Sequence, residues 1–252
     1  MKILPLASGS TGNALLVQEN DTSILIDAGI GPRILKQRLA SSGVALNDIR
    51  ACLLTHEHSD HTQALARVTF PKSIKMVANA ETWLAVEQQL DTSVYDFYEL
   101  PVGNLINLGD LSVQSLPISH DGVNPVAYLV HAKSGKSFLY ATDFGIMPKW
   151  FPHALKLADY VFIEANHDRQ MLITGPYPSH LKRRVASPYG HLSNDQTAQI
   201  LSKYLTPKTK KIYLGHLSQT NNTPQLALRT VSTALLNQGF DLNRLEIEAA
   251  AP

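Results

Sequence analysis

His56, His58, Asp60 and His61, four candidate metal ligands, stand within six residues of the segment Thr55-His56-Glu57-His58-Ser59-Asp60-His61, directly after the apolar run Ala51-Cys52-Leu53-Leu54. The run reads as a buried strand, so three histidines and a carboxylate are delivered together at a strand's end. Imidazole is the usual ligand of zinc-like divalent ions and a carboxylate is a harder companion, which points to a metal centre. His56 and His58 are two apart in an extended segment, where alternate side chains point the same way, so they can share one ion. Asp60 and His61 follow where the chain turns into a helix and face another direction, as a second ion would require. The competing reading, a solvated histidine-rich loop, does not call for so dense a set.

The pattern His-x-His-x-Asp-His after an apolar strand resembles the signature of the metallo-β-lactamase superfamily. The opening Leu6-Ala7-Ser8-Gly9-Ser10-Thr11-Gly12-Asn13-Ala14 resembles its YycJ/WalJ-like branch, some of whose members are 5′-to-3′ DNA exonucleases. This resemblance covers nearly the whole chain. It implies an α/β fold, a four-layer αβ/βα sandwich of two mixed β-sheets flanked by helices, and a metal-dependent hydrolase.

Composition sets the remaining bounds. With 252 residues, 44% hydrophobic and 17% charged, the chain has material for a sizeable core. Candidate metal residues spread from 56 to 216, so a single domain over 1–252 is the economical reading. A net charge of +1 gives no global attraction for nucleic acid, so such binding needs a local basic patch. Cys52 is the lone cysteine, which fits a reducing compartment, and no window approaches the ~20 apolar residues of a membrane span. A cytoplasmic protein without membrane attachment is expected. No heptad or apolar stretch indicates an oligomeric state.

Strands are expected over residues 2–6, 14–18, 24–27, 51–54, 74–77, 111–116, 125–130, 137–142, 158–163, 210–214 and 245–247. Helices are expected over 32–40, 62–67, 80–90, 195–204 and 224–237. Helix 80–90 offers Trp83, Leu84, Val86 and Leu90 to the core. Residues 91–109 are weakly patterned, and 171–188 read as a loop with Pro176, Pro178 and Pro188. Ser8, Ser10 and Asn13 lie in a loop rich in glycine and hydroxyls that reads equally as an anion cradle or as a plain hairpin connection. Asp27 either supports a ligand histidine from behind or caps the following helix. Lys182-Arg183-Arg184 is either a solvated face or a contact to phosphates.

The resemblance implies a ligand set. His56, His58 and His120 hold one ion, Asp60, His61 and His216 the second, and Asp143 bridges them, which holds such ions about 3.5–4 Å apart. Two divalent ions, zinc or manganese, fit this mixture of donors equally. A hydroxide bridging the two ions would be the nucleophile, and Asp60 would also orient it. Glu164 and His191 occupy the order in which ribonuclease Z-type members carry a glutamate and a histidine. There His191 would protonate the departing oxygen and Glu164 would fix its tautomer, with His167 a second candidate in the same neighbourhood. An acid of this kind favours a phosphodiester, and the resemblance implies a nuclease with DNA as its partner and substrate. The alternatives are a hydrolase of small phosphodiesters, thioesters or lactams, and a metal-binding protein without activity, against which the full set of seven ligands argues.

Overall fold

The computed structural model describes residues 1–66 and 70–251. The fold consists of two mixed β-sheets flanked by helices. The chain forms two compact units. The first is made of Met1–Pro117, Gly122–Gly135 and Ala251–Pro252, the second of Ile118–Asp121 and Lys136–Ala250.

The first unit carries, in chain order, β1 (Lys2–Ala7), β2 (Ala14–Glu19), β3 (Thr22–Ile26), α1 (Pro32–Ser41), β4 (Ile49–Leu53), α2 (Ser59–Thr62), β5 (Lys75–Ala78), α3 (Ala80–Glu87), β6 (Asp96–Glu99), β7 (Leu105–Leu108), β8 (Leu111–Pro117) and β9 (Val126–Ala132). β1 to β6 form one sheet in sequence order. β1, β2 and β3 run antiparallel and β3 to β6 parallel. β3 and β4 are apolar throughout their cores because both faces are covered, as parallel strands require. Leu16, Leu25, Cys52, Met76 and Trp83 meet in one buried cluster. Trp83 stacks on Phe97 with ring centres 4.5 Å apart. β7, β8 and β9 form an antiparallel meander.

Ile26 pairs with Leu53 across β3 and β4, so Asp27 and the segment after Leu53 leave the sheet side by side. Asp27 N–H donates to the Leu53 carbonyl at 2.8 Å. That register places the histidine loop against Asp27.

The second unit carries β10 (Ser137–Ala141), α4 (Phe151–Leu157), β11 (Tyr160–Glu164), α5 (Arg169–Thr174), α6 (Ser179–Val185), α7 (Asn194–Tyr204), β12 (Lys211–Gly215), α8 (Pro224–Asn237) and β13 (Glu246–Ala249). β10, β11, β12 and β13 pair in parallel. Ala141 pairs with Ile163, and Ile163 in turn with Leu214. The carboxyl ends of three adjacent strands therefore release Thr142-Asp143, Ala165-Asn166-His167 and His216 along one edge, where α/β sheets form their sites. Ser193 caps α7 in a capping box with Gln196, and Thr223 caps α8.

Several expectations need correction. The weakly patterned stretch 91–109 holds β6 and β7, whose four-residue lengths leave little periodicity to read. Residues 171–188 are largely helical: Asp168 caps α5, and Pro178 stands at the N-cap of α6, so the prolines punctuate helices where a loop was expected. α4, with Pro152 in its first turn, went unread. Leu84 is exposed, while Leu90 lies beyond the end of α3 and packs on the core cluster. The expected helix 62–67 appears as α2 followed by a 3-10 turn at Gln63–Ala66, with Arg67 outside the described residues.

Candidate metal centre

In the first unit the histidine loop is braced from behind. Asp27, fully buried, accepts the Thr55 N–H at 2.8 Å and the Thr55 hydroxyl at 3.0 Å, and its Oδ2 lies 2.8 Å from His61 Nδ1. A carboxylate only accepts, so His61 carries its proton on Nδ1 and keeps the lone pair on Nε2. Nε2 faces the Asp60 carboxylate at 3.5 Å and the Asn13 amide at 3.1 Å. Thr55 Oγ1 also lies 3.0 Å from His56 Nδ1, which leaves His56 Nε2 facing His58 Nδ1 at 3.1 Å. With its O–H donated in a hydrogen bond to Asp27, the hydroxyl accepts from His56 Nδ1, and one buried carboxylate orients two histidines. Of the two sequence readings of Asp27, support for a histidine is the one realised; the N-cap of α1 is Gly31.

Close backbone approach completes the brace. A Cβ at Gly29 would stand 1.5 Å from the Asp60 carbonyl oxygen, so no other residue fits there. Asn13 N–H donates to that same carbonyl at 2.7 Å. The Asn13 amide is further taken up by Gly9, accepting its N–H at 3.0 Å and donating to its carbonyl at 3.1 Å. Asn13 thus ties the Ser8–Asn13 loop to the histidine loop. Ser8 is buried with its N–H on the Ala251 carbonyl, and Ser10 is exposed.

In the second unit the donors gather around Asp143. His216 Nε2 lies 3.2 Å from Asp143 Oδ1, His191 Nδ1 3.7 Å and His120 Nε2 3.9 Å. Asp143, His191 and His216 offer ligand atoms within 4.8 Å of one another. His120 Nδ1 meets the Tyr189 carbonyl at 3.1 Å, so Nδ1 holds the proton and Nε2 carries the lone pair. Asp143 and His216 adopt left-handed backbone conformations with φ of 61° and 51°, as does Asp27 at 61°. Such conformations cost non-glycine residues of order 1–3 kcal/mol and persist where the surroundings impose them, characteristically at functional sites.

Glu164 is fully buried at the end of β11. Its Oε1 accepts the N–H groups of Phe144 at 2.8 Å and Leu192 at 3.1 Å, and its Oε2 lies 3.0 Å from His191 Nδ1. Burial pulls the His191 pKa down, but the Glu164 charge and hydrogen bond, with Asp143 behind them, outweigh it, and the pKa is raised. His120 is lowered by burial, against the opposing pull of Asp143. His167 is pushed down to about 4 by burial, despite Glu164, and its Nδ1 is buried without a hydrogen-bond partner. His191 is therefore the better proton donor of the two.

The basic triplet lies on α6. Lys182 donates to the Ile173 carbonyl at 2.6 Å, and Arg184 Nε pairs with Asp121 at 2.5 Å. Asp121 Oδ1 is in turn 3.2 Å from His120 Nε2. Arg184 thus reaches the donor set through Asp121, a residue that adjacency to His120 alone could have flagged. Buried asparagines were also missed: Asn166 donates to the His216 carbonyl at 2.8 Å, and Asn222 donates to the Ala165 carbonyl at 2.7 Å and bonds Asn194. Asn221-Asn222 reads in sequence only as a helix start.

Residues 22–216 match the model of the Beta-lactamase superfamily domain. The exodeoxyribonuclease YycJ of Bacillus anthracis is 36% identical over 93% of this chain and 89% of its own length. The chain belongs to the metallo-β-lactamase superfamily, in its YycJ/WalJ-like branch. The exodeoxyribonuclease WalJ of Streptococcus pneumoniae is 37% identical over 91% of the chain and 86% of its own length. The metallo-β-lactamase fold protein YhfI of Bacillus subtilis superposes with a TM-score of 0.74 over 99% of the chain and 95% of its own, at 16% identity. Like its superfamily, the chain is a metal-dependent hydrolase. Its residues fit that role: His56, His61 and His120 have their proton positions fixed from behind, and in each unit imidazole nitrogens stand 3–4 Å from another imidazole or from a carboxylate.

Proposed function

We propose that this hydrolase is a phosphodiesterase that shortens DNA from its 5′ end. On this reading the seven donors, His56, His58, Asp60, His61, His120, Asp143 and His216, serve a single domain and hold two divalent ions, zinc or manganese. When bound, the ions would activate a water near neutral pH and offset the charge that develops on the phosphoryl group. The Asp60 carboxylate accepts a hydrogen bond from the attacking water. His191 donates a proton from Nε2 to the departing alkoxide oxygen while Glu164 holds the proton on Nδ1. Asp143, beside both, favours the charged imidazolium.

The observation that carries this reading is the pair of buried Glu164 and half-buried His191, 3.0 Å apart beside Asp143. A phosphodiester's alkoxide needs such an acid to leave, whereas a thiolate leaves without one. DNA as the polymer rests on the two exodeoxyribonuclease relatives. A lone buried thiol, Cys52, fits the cytoplasm; no helix among the described residues is long and apolar enough to cross a membrane.

The test is a reconstitution assay. Protein stripped with EDTA is reloaded with zinc or manganese and offered 5′-phosphorylated DNA and bis-p-nitrophenyl phosphate in parallel, with Asp60→Ala as control. Stepwise DNA shortening that needs metal and vanishes in the variant is expected. Turnover of the small diester with DNA left intact would replace the nuclease reading by a small-molecule phosphodiesterase.

A further inference from the structure

The loop Ser187–His191 is locked on three sides yet leaves an aromatic side chain in water. It folds back on the end of α6: Ser187 N–H donates to the Arg184 carbonyl at 3.1 Å, Gly190 N–H to Ser187 at 2.9 Å and His191 N–H to Val185 at 2.9 Å. On the second side is the Asp143 loop, where a Cβ at Gly145 would stand 2.0 Å from the Ser187 carbonyl oxygen. On the third, the Tyr189 carbonyl accepts from His120 Nδ1 at 3.1 Å. The Tyr189 side chain itself is 62% exposed, and Ile146, next to Gly145, is 53% exposed.

A fixed backbone with a free ring is pre-organised to bind, because little freedom is left to lose. Tyr189 stands two residues from His191, a span of at most ~7 Å of chain, and four residues after Val185, the end of the helix that carries Arg183 and Arg184. A flat apolar face on a segment that also carries cations and a proton donor matches a nucleotide, with its base on the ring and its phosphates toward the cations. We propose that Tyr189 is the stacking platform for a nucleobase at the reacting end of the DNA strand. This rests on the nuclease reading above and assigns that site its base-binding subsite.

The experiment uses the intact protein with Tyr189→Ala and Tyr189→Phe. One readout is kcat/KM on 5′-phosphorylated single-stranded DNA against kcat/KM on bis-p-nitrophenyl phosphate. The other is fluorescence of 2-aminopurine at the 5′-terminal position of an oligonucleotide titrated into EDTA-treated protein, where stacking quenches the base. Tyr189→Ala is expected to lower kcat/KM on DNA about tenfold more than on the small diester, chiefly through KM, and to abolish the quenching. Tyr189→Phe is expected to retain both. Equal losses on the two substrates, or quenching that survives in Tyr189→Ala, would overturn the proposal. If the unmodified protein leaves DNA uncut, the nuclease reading falls, and the quenching alone decides whether the ring binds a base.

Discussion

The histidine loop of the first unit and the donor set of the second are assembled in opposite ways. His56, His58, Asp60 and His61 come from one loop, and a single buried carboxylate, Asp27, holds it through Thr55 and His61. Asp143, Glu164 and His216 come from the ends of β10, β11 and β12, aligned by their parallel register, and His191 from the loop after α6. The first arrangement depends on local geometry, the second on the whole sheet. Damage to the first should therefore appear mainly as lost metal affinity, whereas damage to the second should cost rate and stability as well.

The largest effect is expected at His191, which the account treats as a proton donor. His191→Ala should slow DNA cleavage about 10²–10⁴-fold with metal content intact. Rates paired with elemental analysis check this; loss of metal would turn His191 into a ligand and erase the contrast between donors and acid. Next comes Glu164→Ala, which strands the Phe144 and Leu192 N–H groups and the His191 ring in the core. Denaturant unfolding should show a loss of roughly 2–5 kcal/mol. Asp27→Asn, its counterpart in the first unit, should weaken metal binding about 10–100-fold, as measured by competition with a chelating dye.

The smallest effect concerns His167. Its folded pKa near 4 lies below the ordinary 6.5, so the unfolded chain takes up a proton that the native chain refuses. Stability should then fall as pH drops from about 6.5 to 4, by roughly 3 kcal/mol at most, and be unaffected by this group above that window. Glu164, His191, Asp168 and Arg169 face it, with the carboxylates opposing the shift. His167→Gln should flatten the slope of unfolding free energy against pH over that interval.

The same contrast explains what could be read before folding. The histidine loop was legible because its donors are contiguous and its strand is apolar. Asp143 and His216 were legible only through resemblance, since a lone carboxylate or imidazole at a strand end carries no signature of its own. Their left-handed backbones leave no mark on residue type. Glu164 and His191 are 27 positions apart, and only the fold reveals their hydrogen bond. Short strands such as β6 and β7, and helices opened by Pro178 and Pro152, fell below what periodicity resolves. Arg184 reads in sequence as part of a solvated face or of a phosphate contact, and its engagement by Asp121 required the third dimension.

The central claim, two ions held by the seven proposed donors, is tested most directly by metal stoichiometry. EDTA-stripped protein is dialysed to equilibrium against manganese or zinc and analysed by plasma mass spectrometry, beside His58→Ala and His216→Ala. About two ions per chain are expected, with each variant reduced to about one or fewer. A single ion in the unmodified protein, or full loading of both variants, would contradict the account.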